Sequence, residues 1–335
     1  MPQESQKLRE ELVVSRQSSA GTTSFVLKDP ASGRFFRFRE LEYFIAEQLD
    51  GAASLDLVQR RVQERFGNPL SRENLEQFLK RLGALGLLES HDPEARHAPR
   101  RRGRFAGSLL YLQLKAFDPD RLFGSLAGRM RFLFSPAFLV SSGALILLAA
   151  FIAAANGPAI ARDFSRVFQL HTLVFAWLTV FVVITVHEFS HGLTCKHFGG
   201  SVHDLGFLLL YLQPAFYCNV SDAWLFPERS KRLGVTLAGA YSELLVWALA
   251  ILVWRVTDPG TALSYIALVV VATSGIRTLF NLNPLIKLDG YYLLSDVERC
   301  RSNSQPEKKG LRLPARPDSA AAGSRRSRIF GGDPP

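Results

Sequence analysis

The stretch "FVVITVHEFSHGLTCKHFGG", residues 181–200, runs from an uninterrupted apolar segment straight into a pattern of metal-ligand type. His187 and His191 stand at i and i+4, so a helix places both imidazoles on one face about one turn apart, with Glu188 beside the first. Two neutral imidazoles converge on one metal, and the adjacent carboxylate is placed to take a proton from water that the metal activates. Three ionisable residues in five positions after "VFAWLTVFVVITV" are costly inside an apolar span and mark a functional site by default.

Around this stretch the chain segregates its apolar content. It is 335 residues long, 47% hydrophobic with 21% charged residues and a mean hydropathy of +0.08. Residues 1–134 carry charges throughout, whereas 135–297 hold the long apolar runs. Candidate spans are 136–155, about 170–190, about 233–254 and about 262–282, each near the ~20 residues needed to cross a bilayer. "LGFLLLYLQPAF" (205–216) is too short, contains Pro214, and reads as a re-entrant hairpin or a buried strand-like segment. "SLLYLQLKAFDPDRLFGSLAGRMRFLF" (108–134) is apolar but punctuated by charges, which predicts an interfacial segment.

The net charge of +10 comes in equal parts from "ARHAPRRRGR" (95–104) and from the last 38 residues. An arginine run next to a span is a cytoplasmic topology marker that also favours anionic headgroups, so no nucleic-acid partner is expected. With that run inside, the His-containing end of the second span, "PERSKR" (227–232) and the region of Lys287 all face the cytoplasm. Cys195, Cys218 and Cys300 form no motif and read as reduced thiols. The N-terminus has no apolar core of a signal peptide, which places the first domain in the cytoplasm.

That first domain offers two short β-type runs around Asp29–Gly33, then three helical segments: about 39–50, one starting near Ser54 with Leu55, Val58, Val62 and Phe66 on one face, and one capped by Ser71 with Leu75, Phe78, Leu79 and Leu82. The pattern predicts a small winged-helix (α+β) unit. Through "VLKDPASGRFFRFRELEYFIAEQLDG" and "LEQFLKRLGALGLLE" it resembles the PqqD-type peptide-binding domain, in which an extended peptide adds as a strand to the hairpin sheet. A winged helix can also be a plain scaffold or a DNA reader. The last helix mixes Arg72, Lys80 and Arg81 with Glu73 and Glu76, which makes it a poor recognition helix.

Zinc hydrolases need a third protein ligand and an open position for water. His197 follows His191 by six residues, as in the metzincin spacing, but Thr194 stands where that motif needs Gly. Asp289, in "NLNPLIKLDGYY" (281–292), is the other candidate: a carboxylate followed by Gly and preceded by the helix-breaking Asn283–Pro284. Together, the His-Glu-x-x-His pattern, "KHFGG" and the distant Asn-Pro and Leu-Asp-Gly resemble the site-2 protease family of intramembrane zinc metalloproteases, over about 170–297. "SDAWLFPERSKRL" and "NPLIKLDGYYLLSD" look closest to its bacterial branch fused to a PqqD-type domain. The resemblance implies that His187, His191 and Asp289 bind zinc (Zn2+) and that Glu188 is the general base, with His197 a polar neighbour. Asn219 and Asn283 are candidates to orient a substrate backbone, His203 and Cys195 to support the site or pack near it, and Glu243, inside the third span with Tyr241, to line the cavity or face a partner.

The expected fold class is mainly α: a polytopic helical membrane protein with the winged-helix domain at residues 1–94, a basic linker and interfacial segment at 95–134, a membrane-embedded metallopeptidase core at 135–297, and a disordered basic tail at 298–335. The abrupt change into that tail reads as a truncated or frame-shifted C-terminus. The expected activity is hydrolysis of peptide bonds in a membrane-associated protein or ribosomal peptide, in a multi-pass protein of the bacterial inner membrane. Expected partners are the lipid bilayer, the peptide or membrane-protein substrate, and export or peptide-modification proteins. The alternative is a non-catalytic membrane subunit that binds or exports a peptide.

Overall fold

The computed structural model describes residues 7–19, 22–51, 53–67, 69–89, 105–108, 111–164, 173–210, 213–286 and 288–302. The arginine run at 95–104, Lys287 and the tail from 303 onward lie outside the described residues, as does what was expected of them. The protein is mainly helical, and it divides into two compact units, one built on residues up to Arg101 and the other on Arg102–Trp224 with Glu228–Glu298.

In the first unit, β1 (Val13–Ser19), β2 (Thr22–Asp29) and β3 (Arg34–Arg39) form an antiparallel sheet in that order. The β2–β3 hairpin matches the sequence expectation. β1 does not announce itself, because Val13 and Val14 are exposed while the polar Gln17 is buried; the strand is defined by its partner, from Val13 opposite Lys28 to Ser19 opposite Thr22. Three helices follow, α1 (Glu40–Glu47), α2 (Leu55–Phe66) and α3 (Arg72–Ala84). The hydroxyls of Ser54 and Ser71 accept the Leu57 and Asn74 N–H groups to start α2 and α3, and α2 stops at Gly67 with φ +68°. Leu27, Phe36, Ile45, Val58, Val62, Leu75, Leu79, Leu82 and Leu87 make one core, so the apolar spacing of the helices translates directly into packing.

Asp29 closes the hairpin. Its carboxylate accepts the Ala31 N–H at 3.1 Å and the Ser32 hydroxyl at 2.6 Å, with the Arg9 guanidinium 3.3 Å away. Burial alone would raise its pKa, but these donors outweigh burial and hold it below the usual carboxylate value. The folded-state pKa therefore lies under the unfolded value of about 3.9, so this stabilisation is complete above that value and is lost as pH falls through the folded pKa. Asp29→Asn is expected to weaken the hairpin by about 1–2 kcal/mol at pH 7. Amide hydrogen exchange of β2 and β3 in the full chain should show faster exchange at pH 7 and a shrinking difference from the parent below pH ~4; equal protection at both would contradict it.

The second unit opens with β4 (Phe105–Ser108), β5 (Tyr111–Phe117), α4 (Asp120–Arg129) and a short 3-10 turn at Arg131–Phe134. Six further helices follow in order: α5 (Pro136–Ala155), α6 (Gly157–Phe164), α7 (Leu173–His197), α8 (Arg229–Val256), α9 (Ala262–Asn281) and α10 (Asp289–Ser302); the hairpin β6 (Leu205–Leu210) and β7 (Gln213–Cys218) lies between α7 and α8. The 108–134 run contains strand β5, which pairs with β6 some ninety residues later, a partner no local pattern reveals. The 205–216 segment is strand-like as expected, and its two strands belong to a sheet of order β4-β5-β6-β7, all antiparallel.

Among the described residues, four helices are long and apolar enough to cross a membrane, over Pro136–Ala155, Ala176–His197, Arg229–Val256 and Ala262–Asn281, which suggests a membrane protein. α8 packs against both α7 and α9, and α5 packs mainly on α8 while exposing Val140, Leu147 and Phe151, side chains that lipid solvates better than water. α7 continues beyond the expected end of its span to His197, about 37 Å in all, because nothing breaks the helix before Gly199 at φ +92°. Its last turns are tied to α4, where the Asp120 carboxylate accepts both Lys196 Nζ at 2.7 Å and the Val202 N–H at 3.0 Å. Gly192 gives Phe123 of α4 room to pack against α7.

Candidate metal centre

α7 and α8 meet along matched four-residue ridges. His187 and His191 project from α7; Val235, Gly239 and Glu243 project from α8. The helices run antiparallel, so His191 faces Val235 and His187 faces Glu243. Nδ1 of His191 lies 2.7 Å from the Val235 carbonyl oxygen, and Nδ1 of His187 lies 3.2 Å from Oε1 of Glu243. The second contact is close enough for charge attraction but is not aligned as a hydrogen bond. Gly239 sits between the two, and a Cβ there would collide with Cε1 and Nε2 of His187 and with Nε2 of His191.

Asp289 arrives from the opposite side, as the first residue of α10. α9 ends at Leu282, Asn283 Oδ1 accepts the Leu285 N–H at 3.0 Å, and the chain turns back so closely that a Cβ on Gly290 would strike the Leu282 backbone. Asp296, seven residues after Asp289 and so on the same face of α10, is buried against Arg232 of α8, with Oδ1 3.4 Å from the guanidinium Nε. This pair anchors the helix that carries Asp289.

Oδ2 of Asp289 lies 3.2 Å from Nε2 of His187 and 3.4 Å from Nε2 of His191, and the two Nε2 atoms are 3.0 Å apart. The chemistry of these neighbours fixes what the atoms carry. A carbonyl oxygen only accepts, so His191 bears its proton on Nδ1 and keeps a lone pair on Nε2; a carboxylate at His187 favours the same tautomer. In that tautomer the two Nε2 lone pairs and Oδ2 of Asp289 face one another, and buried Oδ2 has no aligned hydrogen-bond partner. Such a triangle repels itself unless a cation joins it, and His187, His191 and Asp289 form a group able to hold a metal ion.

Other candidate residues sit elsewhere. His197 does not join the triangle; its ring stacks on Phe134 at 3.8 Å. Asn219 accepts from the Ser221 N–H and hydroxyl and donates to Asp204, and Asn283 caps its own turn, so both serve local loops. His203 is exposed beside Asp118 at 3.1 Å, away from the site, and Cys195 is fully buried. Tyr241 pairs with Ser142 of α5, which explains a polar ring in an apolar helix. Glu188, next to His187 on α7, reaches β7, where its Oε2 accepts the Cys218 N–H at 3.1 Å. Sequence reading overlooked Arg277, which donates to Glu243 at 2.8 Å; its signal was a lone charge in the fourth span.

No family model, curated protein or solved structure matches the chain.

Gly239→Ala is expected to force the two imidazoles apart and to cost about 1–3 kcal/mol of metal binding, roughly 5- to 150-fold in affinity. Gly143→Ala in α5, where a Cβ meets nothing within 4 Å, is the control. Metal content per purified chain measures both, and a Gly239→Ala protein with parental content would contradict the packing described here.

Proposed function

We propose that the chain is an intramembrane zinc metallopeptidase that hydrolyses peptide bonds of a membrane-associated protein or ribosomal peptide. The observation that carries this reading is the triangle of His187, His191 and Asp289 beside Glu188. Ligand atoms about 2.0–2.1 Å from a tetrahedral zinc lie roughly 3.3 Å from one another, and the edges of the triangle are 3.0, 3.2 and 3.4 Å. Two imidazoles and one carboxylate suit zinc and leave a fourth position open, the arrangement of hydrolytic rather than structural sites. When bound, zinc lowers the pKa of water to about 7 and polarises a substrate carbonyl.

The remaining work falls to this chain. Glu188 accepts the proton of the attacking water and passes it to the leaving amide nitrogen. The imidazoles, locked by Val235 and Glu243, need no reorganisation as the reaction proceeds. β7 is one of the two edge strands of its sheet and its last N–H meets Glu188, so an extended substrate added to that edge runs toward the base. Strand addition would also remove the helical hydrogen bonds that shield a scissile carbonyl.

The N-terminal sheet and helices form, in this reading, a PqqD-like winged-helix domain that recruits the peptide by strand addition. In this reading the domain lies in the cytoplasm, which the basic run at 95–104 supports, and the chain is a multi-pass protein of a bacterial inner membrane.

Zinc per chain in detergent-purified protein tests the assignment. The parent and His197→Ala are expected to hold about one zinc and Asp289→Ala far less, while Glu188→Gln keeps zinc and loses at least about 100-fold in cleavage of a panel of fluorogenic membrane peptides. Zinc retained by Asp289→Ala would overturn the ligand set. Zinc present without cleavage by the parent would identify a non-catalytic peptide-binding or export subunit.

A further inference from the structure

Glu243 lies in the middle of α8, within a segment able to span a membrane, and is 1% exposed. An ionised carboxylate in such surroundings costs several kcal/mol unless each oxygen is paired. Three donors from α9 do this: Arg277 Nε to Oε1 at 2.8 Å, the Thr278 hydroxyl to Oε2 at 3.2 Å, and Asn281 Nδ2 to Oε2 at 3.4 Å. Residues 277, 278 and 281 share one face of α9, so the helix acts as a fixed cradle. Oε1, the oxygen held by Arg277, is also the atom 3.2 Å from Nδ1 of His187.

We propose that Glu243 is a positioning residue for the metal centre: it holds His187 with Nδ1–H toward α8 and its Nε2 lone pair toward Asp289, and thereby sets metal affinity. This rests on the zinc reading above. Glu243 is not itself a ligand, because it faces the ring nitrogen opposite the one that meets Asp289 and His191. Nor does a plain ion pair account for it. Arg277 would be satisfied by a carboxylate aimed anywhere on α9, whereas this one is shared with a ring whose other nitrogen completes the triangle. The two histidines are also treated unequally: His191 is held by a neutral carbonyl and His187 by an anion, which makes His187 the more basic donor.

The test is zinc affinity of the full chain, measured by competition with a chelator, together with the visible absorption of the cobalt(II)-loaded protein, which reports ligand geometry directly. Glu243→Gln keeps the shape and an acceptor oxygen but removes the charge; it is expected to weaken zinc binding about 10- to 100-fold and to shift the cobalt bands. Ser142→Ala, which removes a buried polar contact to Tyr241 in the same helix packing without touching the site, is expected to leave both unchanged even where it lowers thermal stability. If Glu243→Gln does not fold, Thr278→Val removes one donor to Oε2 and is expected to cost about fivefold. A parent that binds no zinc defeats the underlying metal reading. A parent that binds zinc, with affinity and cobalt spectrum unchanged in Glu243→Gln, or in Thr278→Val where that variant stands in, overturns the role given to Glu243 alone.

Discussion

The contact on which the second unit depends is the close approach of α7 to α8 at Gly239. Without a side chain there, both imidazoles lie against the α8 backbone, and the same four-residue spacing that brings them close supplies an oxygen to each Nδ1. A wider residue at 239 would separate the helices and break both contacts at once. The direction of the two Nε2 lone pairs thus follows from helix packing, and Asp289 has only to be delivered to the point where they meet.

Delivery is done by charge in a part of the chain otherwise built from apolar helices. Arg232 with Asp296 fixes α10 on α8, Arg277 with Glu243 fixes α9 on α8, and Lys196 with Asp120 fixes the end of α7 on α4. Buried and partly buried pairs of this kind contribute little net stability over apolar replacements, since desolvation offsets most of the attraction. Their value is directional: an apolar contact lets helices slide or rotate, while a cradled carboxylate accepts only one register. That these pairs bracket the metal triangle ties the site's geometry to the unit's assembly.

Much of this was legible in the sequence because it is local. The four span-length apolar helices, the serine caps of α2 and α3, the His187 and His191 spacing, and the turn before Asp289 all follow from neighbours within a few residues. Between His197 and Asp289 as third partner, spacing along the chain could not choose; the backbone turn at Leu282–Gly290 brings Asp289 in, while His197 is drawn onto Phe134. What stayed hidden depends on distant partners. β1 lacks alternation and exists through β2, β5 exists through β6, and the Val235 carbonyl at His191 has no side-chain signature at all. Glu243 was visible as an acid in an apolar run, but its direction toward His187 was not.

The central claim is that two imidazoles and one carboxylate of this chain surround a zinc ion. X-ray absorption at the zinc edge of the detergent-purified full chain tests it most directly. The account predicts a four-coordinate site of nitrogen and oxygen at about 2.0–2.2 Å, with the outer-ring scattering of two imidazoles and no sulfur. A sulfur scatterer near 2.3 Å, scattering from one imidazole or none, or protein without zinc would contradict it.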